Sequence, residues 1–285
     1  MNTDTPLPPD EPAEQNPPDG AIFDYWLKSA PSQPVTLEIL DSAGKLVRRY
    51  SSADPLPQPD PELAIPAYWV RPPQGLSGAA GLHRFVWDIH YTPVPGIKGD
   101  YPMTAVPHNT PPGATSPWVM PGEYTVVLTV DGQQFRERLT VEMDPRVKTS
   151  LADLQKQFEL SQQAYEDLLA LQPVIDKVAA ARAQLKTMRD KASGAQAAKL
   201  DAASKELESL EGGEGRRRRR GPHAATLSGT RDSLLQMLSM LQEVDVAPTT
   251  QALPEVPKLH QSTVSLIERW HEVQKQGLAP LKIQP

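Results

Sequence analysis

At 285 residues, with 39% hydrophobic and 22% charged side chains, the chain has the make-up of a globular protein long enough for two modest domains. It has no cysteine, which excludes disulfides, thiolate metal sites and cysteine nucleophiles. The formal net charge of −6 is unevenly spread: residues 1–145 hold 9 Lys/Arg against 18 Asp/Glu, and residues 146–285 hold 20 against 17, five of those twenty being consecutive arginines.

Residues 1–19 carry six prolines and few large apolar side chains. They cannot bury enough surface to offset ordering, so they read as a disordered linker. The segment is acidic and lacks the basic and apolar parts of a signal peptide, and no run of about 18 apolar residues predicts a membrane span.

From Ala21 the pattern turns strand-like. AIFDYWL is followed by PVTLEIL, where Val35, Leu37 and Ile39 alternate with polar residues and are expected to face a core, and by KLVRRY after the turn Asp41 to Gly44. A Pro-rich connection covers Pro55–Pro73, with a seventh strand expected near Ala67–Val70. LHRFVWDI offers Leu82, Phe85, Trp87 and Ile89 as its bulky positions. A second connection, Thr92–Pro121, precedes EYTVVLTV and QQFRERLTVEM, which flank Asp131-Gly132, a two-residue hairpin turn. Short strands with turn chemistry and no helical period predict an Ig-like antiparallel β-sandwich over 20–145. The two long connections are expected to cover sheet edges rather than to bind.

Of the 31 prolines, 24 precede Arg146, and after Asp144-Pro145 the apolar period becomes about 3.6. Thr149-Ser150 can cap a helix, with Asp153 placed for a capping box, and its stripe runs through Leu151, Leu154, Phe158, Tyr165, Leu168, Leu171, Val174 and Val178, reaching about Ala192 and bending at Pro173. Ser193-Gly194 breaks it before AQAAKLDAASKELESLE. Further helices are expected in TRDSLLQMLSMLQEV and, after Pro248, Pro254 and Pro257, in VPKLHQSTVSLIERWHEVQKQ, with Leu259, Val264, Ile267, Trp270 and Val273 on one stripe. Residues 146–285 thus predict an antiparallel α-helical bundle or hairpin with a flexible Gly/Arg loop at 211–225.

The chain has no Walker A loop, G-x-G-x-x-G, G-x-S-x-G or H-E-x-x-H motif. Its six histidines are never spaced as paired ligands on one element, so no metal and no cofactor is expected. Asp24, Asp88 and Glu123 lie near aromatics, as a glycosidase acid and base would, but hydrogen bonding at strand ends explains them more simply. The aromatics of the first half are assigned mainly to packing. Trp69, Trp118 and Tyr101 are retained as ligand or interface candidates, Trp118 foremost because of its Pro-rich loop. The run Arg216, Arg217, Arg218, Arg219 and Arg220 is a possible polyanion contact, yet its glycine flanks and lack of stacking aromatics favour a solvated connection over a nucleic-acid site.

Taken together, NPPDGAIFDYWLK, PVTLEILDSAGKLVRRYSS, GLHRFVWDIHY and MPGEYTVVLTVDGQQFRERLTVEMDPRVKTSLADLQKQFELS resemble the C-terminal region of large bacterial sortilin-like propeller proteins described as glycosyl hydrolases with BNR repeats. The resemblance is strongest through Leu160. It implies the part of such a protein that follows the propeller, since no Asp-box repeat (S-x-D-x-G-x-x-W in type) occurs here. It also implies an exported setting, a propeller domain or subunit as partner, and carbohydrate as a possible ligand. The expectation is a non-catalytic accessory or interaction module; hydrolase activity and polyanion binding are the alternatives.

Overall fold

The computed structural model describes residues 17–56, 63–103, 106, 108–212, 225–281 and 283. The run Arg216 to Arg220 and most of the proposed linker lie outside them. Antiparallel strands fill the first part of the chain and four helices the second. The residues sort into two compact units: one takes the described residues up to Pro93 with Ile97–Lys148, the other Val94–Gly96 with those from Thr149 onward.

In the first unit, β1 (Ala21–Leu27) pairs with β4 (Gly81–Trp87) as a two-stranded sheet. A four-stranded sheet has the order β3-β2-β5-β6, from β2 (Thr36–Leu40), β3 (Leu46–Ser51), β5 (Gly122–Val130) and β6 (Gln133–Val141). Alternation along each strand sends one side-chain set inward. Leu27 and Phe85 of the smaller sheet meet Leu37 and Val126 of the larger one, and Trp87 meets Ile39, Val47 and Tyr124. Val35, Leu37 and Ile39 are fully buried, as their alternation requires. At the β5–β6 turn Asp131 and Gly132 both have positive φ, 47° and 82°. The Asp131 carboxylate there accepts from Ser32 N, Ser32 Oγ and Gln33 N, which holds it below the usual carboxylate range.

Two strand expectations are corrected. Ala67–Trp69 is a single 3₁₀ turn, and Val70 makes only an isolated bridge to Thr110, because Pro66 and Pro72 bracket too short a run for a ladder. The strand expected over LHRFVWDI ends at Trp87, and Ile89 lies beyond β4 with φ 59°. The two long connections pair with each other: Arg71 N donates to Thr110 O, Thr110 N to Trp69 O, and His108 N to Tyr68 O.

In the second unit, α1 (Leu151–Arg189) is a continuous helix through Pro173. Ser150 Oγ accepts from Asp153 N, forming the expected cap. Its buried face runs Leu154, Gln157, Ser161, Ala164, Leu168, Leu171, Val174, Val178, Ala181 and Leu185, steps of three and four that keep one seam inward. Leu151 is instead 67% exposed, at the first turn where no neighbour covers it. The helix α2 (Gly194–Glu211) runs back against α1, with Arg189 paired to Asp201 and Arg182 to Glu208. The helix α3 (Leu227–Gln242) also runs opposite to α1, ending where Gln157 Nε2 donates to Leu241 O and Val244 O. The last helix, α4 (Ala252–Val273), runs parallel to α1: Leu160 packs on Ala252 and Val256, and Asp167 meets His260 further along. It begins before its prolines: Pro254 sits in the first turn, where main-chain N–H groups have no helical acceptor to lose, while Pro257 lies inside the helix and forgoes one main-chain hydrogen bond. Its buried face is Val256, Leu259, Thr263, Leu266, Trp270 and Val273, while Val264 is exposed.

Candidate functional site

The three aromatic candidates fall in two places. Trp69, only 6% exposed, packs with Ile65, Val70 and Tyr101 in a small core beneath the paired connections, so Trp69 and Tyr101 come together and Trp69 is a packing residue. The chain reaches that core through close passages. Gly113 N donates to Asp100 O, and a Cβ on Gly99 would lie 1.8 Å from Gly113 O, so Gly99 admits no side chain.

Trp118 lies apart, 42% exposed, with its ring 3.8 Å from that of His90. The turn that presents His90 is strained, because a β-branched residue, Ile89, occupies the left-handed region. The turn is fixed by Trp87 Nε1 donating to His90 O and Val119 N donating to Ile89 O. His90 Nδ1 is 2.7 Å from Asp88 O, an acceptor, so Nδ1 carries the proton. Nε2 is then a bare acceptor, buried and without a partner among the described residues. Burial pushes the His90 ring below its ordinary value, so it is neutral at pH 7.

No protein-family model, curated protein or solved structure matches the chain.

The carboxylates Asp24, Asp88 and Glu123 each have a separate structural partner. Asp24 is held by both Arg84 Nε and Arg84 Nη2 at 2.8 Å, and that pairing keeps it below the usual range, the wrong direction for a general acid. Glu123 Oε1 accepts from Thr140 Oγ1, and Asp88 Oδ1 faces His90 N. No group of three or more His, Asp or Glu residues placed to hold a metal ion occurs among the described residues. No helix among them is long and apolar enough to cross a membrane.

Two features were not singled out from sequence. The first is the outer face of β1 and β4, where register sets Trp26 opposite Leu82, Asp24 opposite Arg84 and Ile22 opposite Val86. Trp26 is 64% exposed, Leu82 75% and Ile22 44%, and the one charged pair between them is mutually neutralised. The signal was present in AIFDYWL, where Phe23, Tyr25 and Leu27 alternate with Ile22, Asp24 and Trp26. Both sets are largely apolar, so alternation alone could not tell inside from outside. The second lies between α1 and α4. Asp167 Oδ1 is 2.8 Å from His260 Nδ1, and Gln163 Nε2 is 3.1 Å from the same nitrogen. Burial pushes the Asp167 carboxyl up, and Asp167 Oδ2 and Thr263 Oγ1 are buried without partners among the described residues.

Proposed function

We propose that the chain is a non-catalytic interaction module that docks a partner protein through the outer face of β1 and β4. The observation that carries this reading is the cross-strand pair Trp26 and Leu82, flanked by Ile22, which leaves large apolar side chains open on a sheet face whose single ion pair is self-contained. An exposed apolar cluster of this kind is a usual mark of a protein interface, and tryptophan is a frequent interface anchor.

In this reading the first unit is an Ig-like β-sandwich and the second an α-helical bundle. Support for the former comes from Trp87, buried between sheet residues and edge-on to Tyr124, and from the Tyr124 hydroxyl donating to Met120 O four residues upstream, much as a tyrosine corner does. The partner that fits the sequence resemblance is a BNR-type β-propeller, in an exported setting. Carbohydrate is the second ligand class, for which half-exposed Trp118 is the one suitable platform among the three aromatic candidates.

The experiment is capture of a purified propeller of that family by the immobilised full chain, with Trp26→Lys and Trp118→Ala variants alongside. Capture that fails for Trp26→Lys and survives Trp118→Ala supports the docking face. Capture unaffected by Trp26→Lys, or glycoside turnover by the chain itself, overturns it.

A further inference from the structure

Strand edges expose unpaired main-chain groups, and among the described residues three of the four sheet edges are guarded. On β4, Gln74 Nε2 donates to Arg84 O and Gln74 Oε1 accepts from Val86 N, so one side chain occupies the outer edge as a strand would. On β3, Arg48 Nη1 donates to Tyr91 O and Thr92 Oγ1 to Val47 O, laying Tyr91 and Thr92 over that edge. On β6, Arg136, Glu137 and Arg138 are all exposed, and edge charges of this kind deter strand pairing.

The remaining edge is β1. Because Arg84 and Val86 turn their main chain away from β1 toward Gln74, the residues that bond across the β1–β4 ladder are the alternate ones, Ala21, Phe23, Tyr25 and Leu27. The N–H and C=O groups of Ile22, Asp24 and Trp26 therefore point outward, and none meets a hydrogen-bond partner among the described residues.

We propose that β1 is a self-association edge: two copies of the chain pair their β1 strands antiparallel about a two-fold axis, giving a continuous β4-β1-β1-β4 sheet. Charge selects the register. Centring on Asp24 would set two carboxylates opposite each other, whereas centring on Tyr25 sets each Asp24–Arg84 pair against the second copy's Trp26, with the guanidinium in reach of the indole face. Every outward charge on the sheet is then either paired or over an aromatic ring. The contact is a short strand with few anchors, below the roughly 1,200 Å² of a standard interface, so the dimer is weak, with a dissociation constant on the order of 100 µM.

This rests on the docking face proposed above, but it fails separately: a chain that stays monomeric and still captures a propeller through Trp26 loses only the self-pairing. The test is sedimentation equilibrium of the full chain from about 5 to about 500 µM, bracketing that constant. Two substitutions probe the edge. Trp26→Glu sets a carboxylate opposite the second copy's Asp24, and Trp26→Pro removes an outward N–H inside the paired stretch 23–27 while leaving the β1–β4 ladder whole. Both are expected to weaken dimerisation at least about tenfold, roughly 1.4 kcal/mol, with circular dichroism and melting unchanged. Phe135→Lys, on the guarded β6, is expected to dimerise like the parent. A monomer at every concentration, or a dimer indifferent to both edge substitutions, overturns the proposal.

Discussion

Asp167 shows how one residue ties stability to pH. The residue is 4% exposed, between α1 and α4, one carboxyl oxygen meeting His260 and the other meeting nothing among the described residues. Burial raises its proton affinity above the ordinary value of 3.8. A carboxyl with a raised folded-state value contributes its full stability below the unfolded value and withdraws it as pH climbs through the folded one. Asp167→Asn keeps an acceptor for His260 but carries no charge. The variant's advantage is therefore expected to be about 1 kcal/mol at pH 7.5, the scale of desolvating a buried polar group, and to shrink markedly by pH 4, closing only below the ordinary value. Thermal melts at the two pH values check it; a variant less stable than the parent at pH 7.5 would mean that the ionised carboxylate is stabilised by His260 beyond its burial cost.

At the scale of elements, the strands were legible where alternation contrasted apolar with polar side chains and not where both faces were apolar. Val35, Leu37 and Ile39 announce their inward face through Thr36 and Glu38; Leu82 gives no such contrast within LHRFVWDI and is exposed. Helix positions show the same limit. The α1 start was readable from Thr149-Ser150 and Asp153, because a cap is a local arrangement, and the structure places the cap on Ser150. Val264 is apolar and correctly spaced for a stripe, but the buried seam of α4 runs through Thr263, one residue away, a choice made by the neighbouring helices. The pairing of the two Pro-rich connections had no sequence signal, since main-chain bonds such as Arg71 N to Thr110 O leave no residue pattern. The cap gives a direct measurement. Ser150→Ala removes the acceptor for Asp153 N at 3.1 Å and the donor to Asp153 Oδ2 at 2.7 Å. The expected cost is about 1 kcal/mol, a fall of roughly 2–4 °C in melting midpoint for a unit of this size. No change would show that α1 begins stably without its cap.

At the scale of the whole chain, the helix ends that flank the basic run lie close together. The helices α2 and α3 both run opposite to α1, so the chain between them has no reversal to make. Their ends meet: a Cβ on Gly212 would lie 2.5 Å from Thr226 Oγ1. Each end is also satisfied independently, with Gly212 N bonded to Glu208 O at φ 84°, and Thr226 Oγ1 accepting from Gly229 N. The described ends, Gly212 and Thr226, are thus close enough for two residues to bridge. Replacing 213–225 with Gly-Gly is expected to keep the helical circular dichroism signal and to leave stability equal or higher, by up to about 1.6 kcal/mol from the shorter loop closure. Loss of helix content, or a melting midpoint lowered by more than about 4 °C, would show that the excised segment holds α2 and α3 in place. The same variant separates the two surfaces: if docking runs through Trp26 and Leu82, propeller capture survives removal of the arginines, and a capture that disappears with them would transfer the interaction to the basic run.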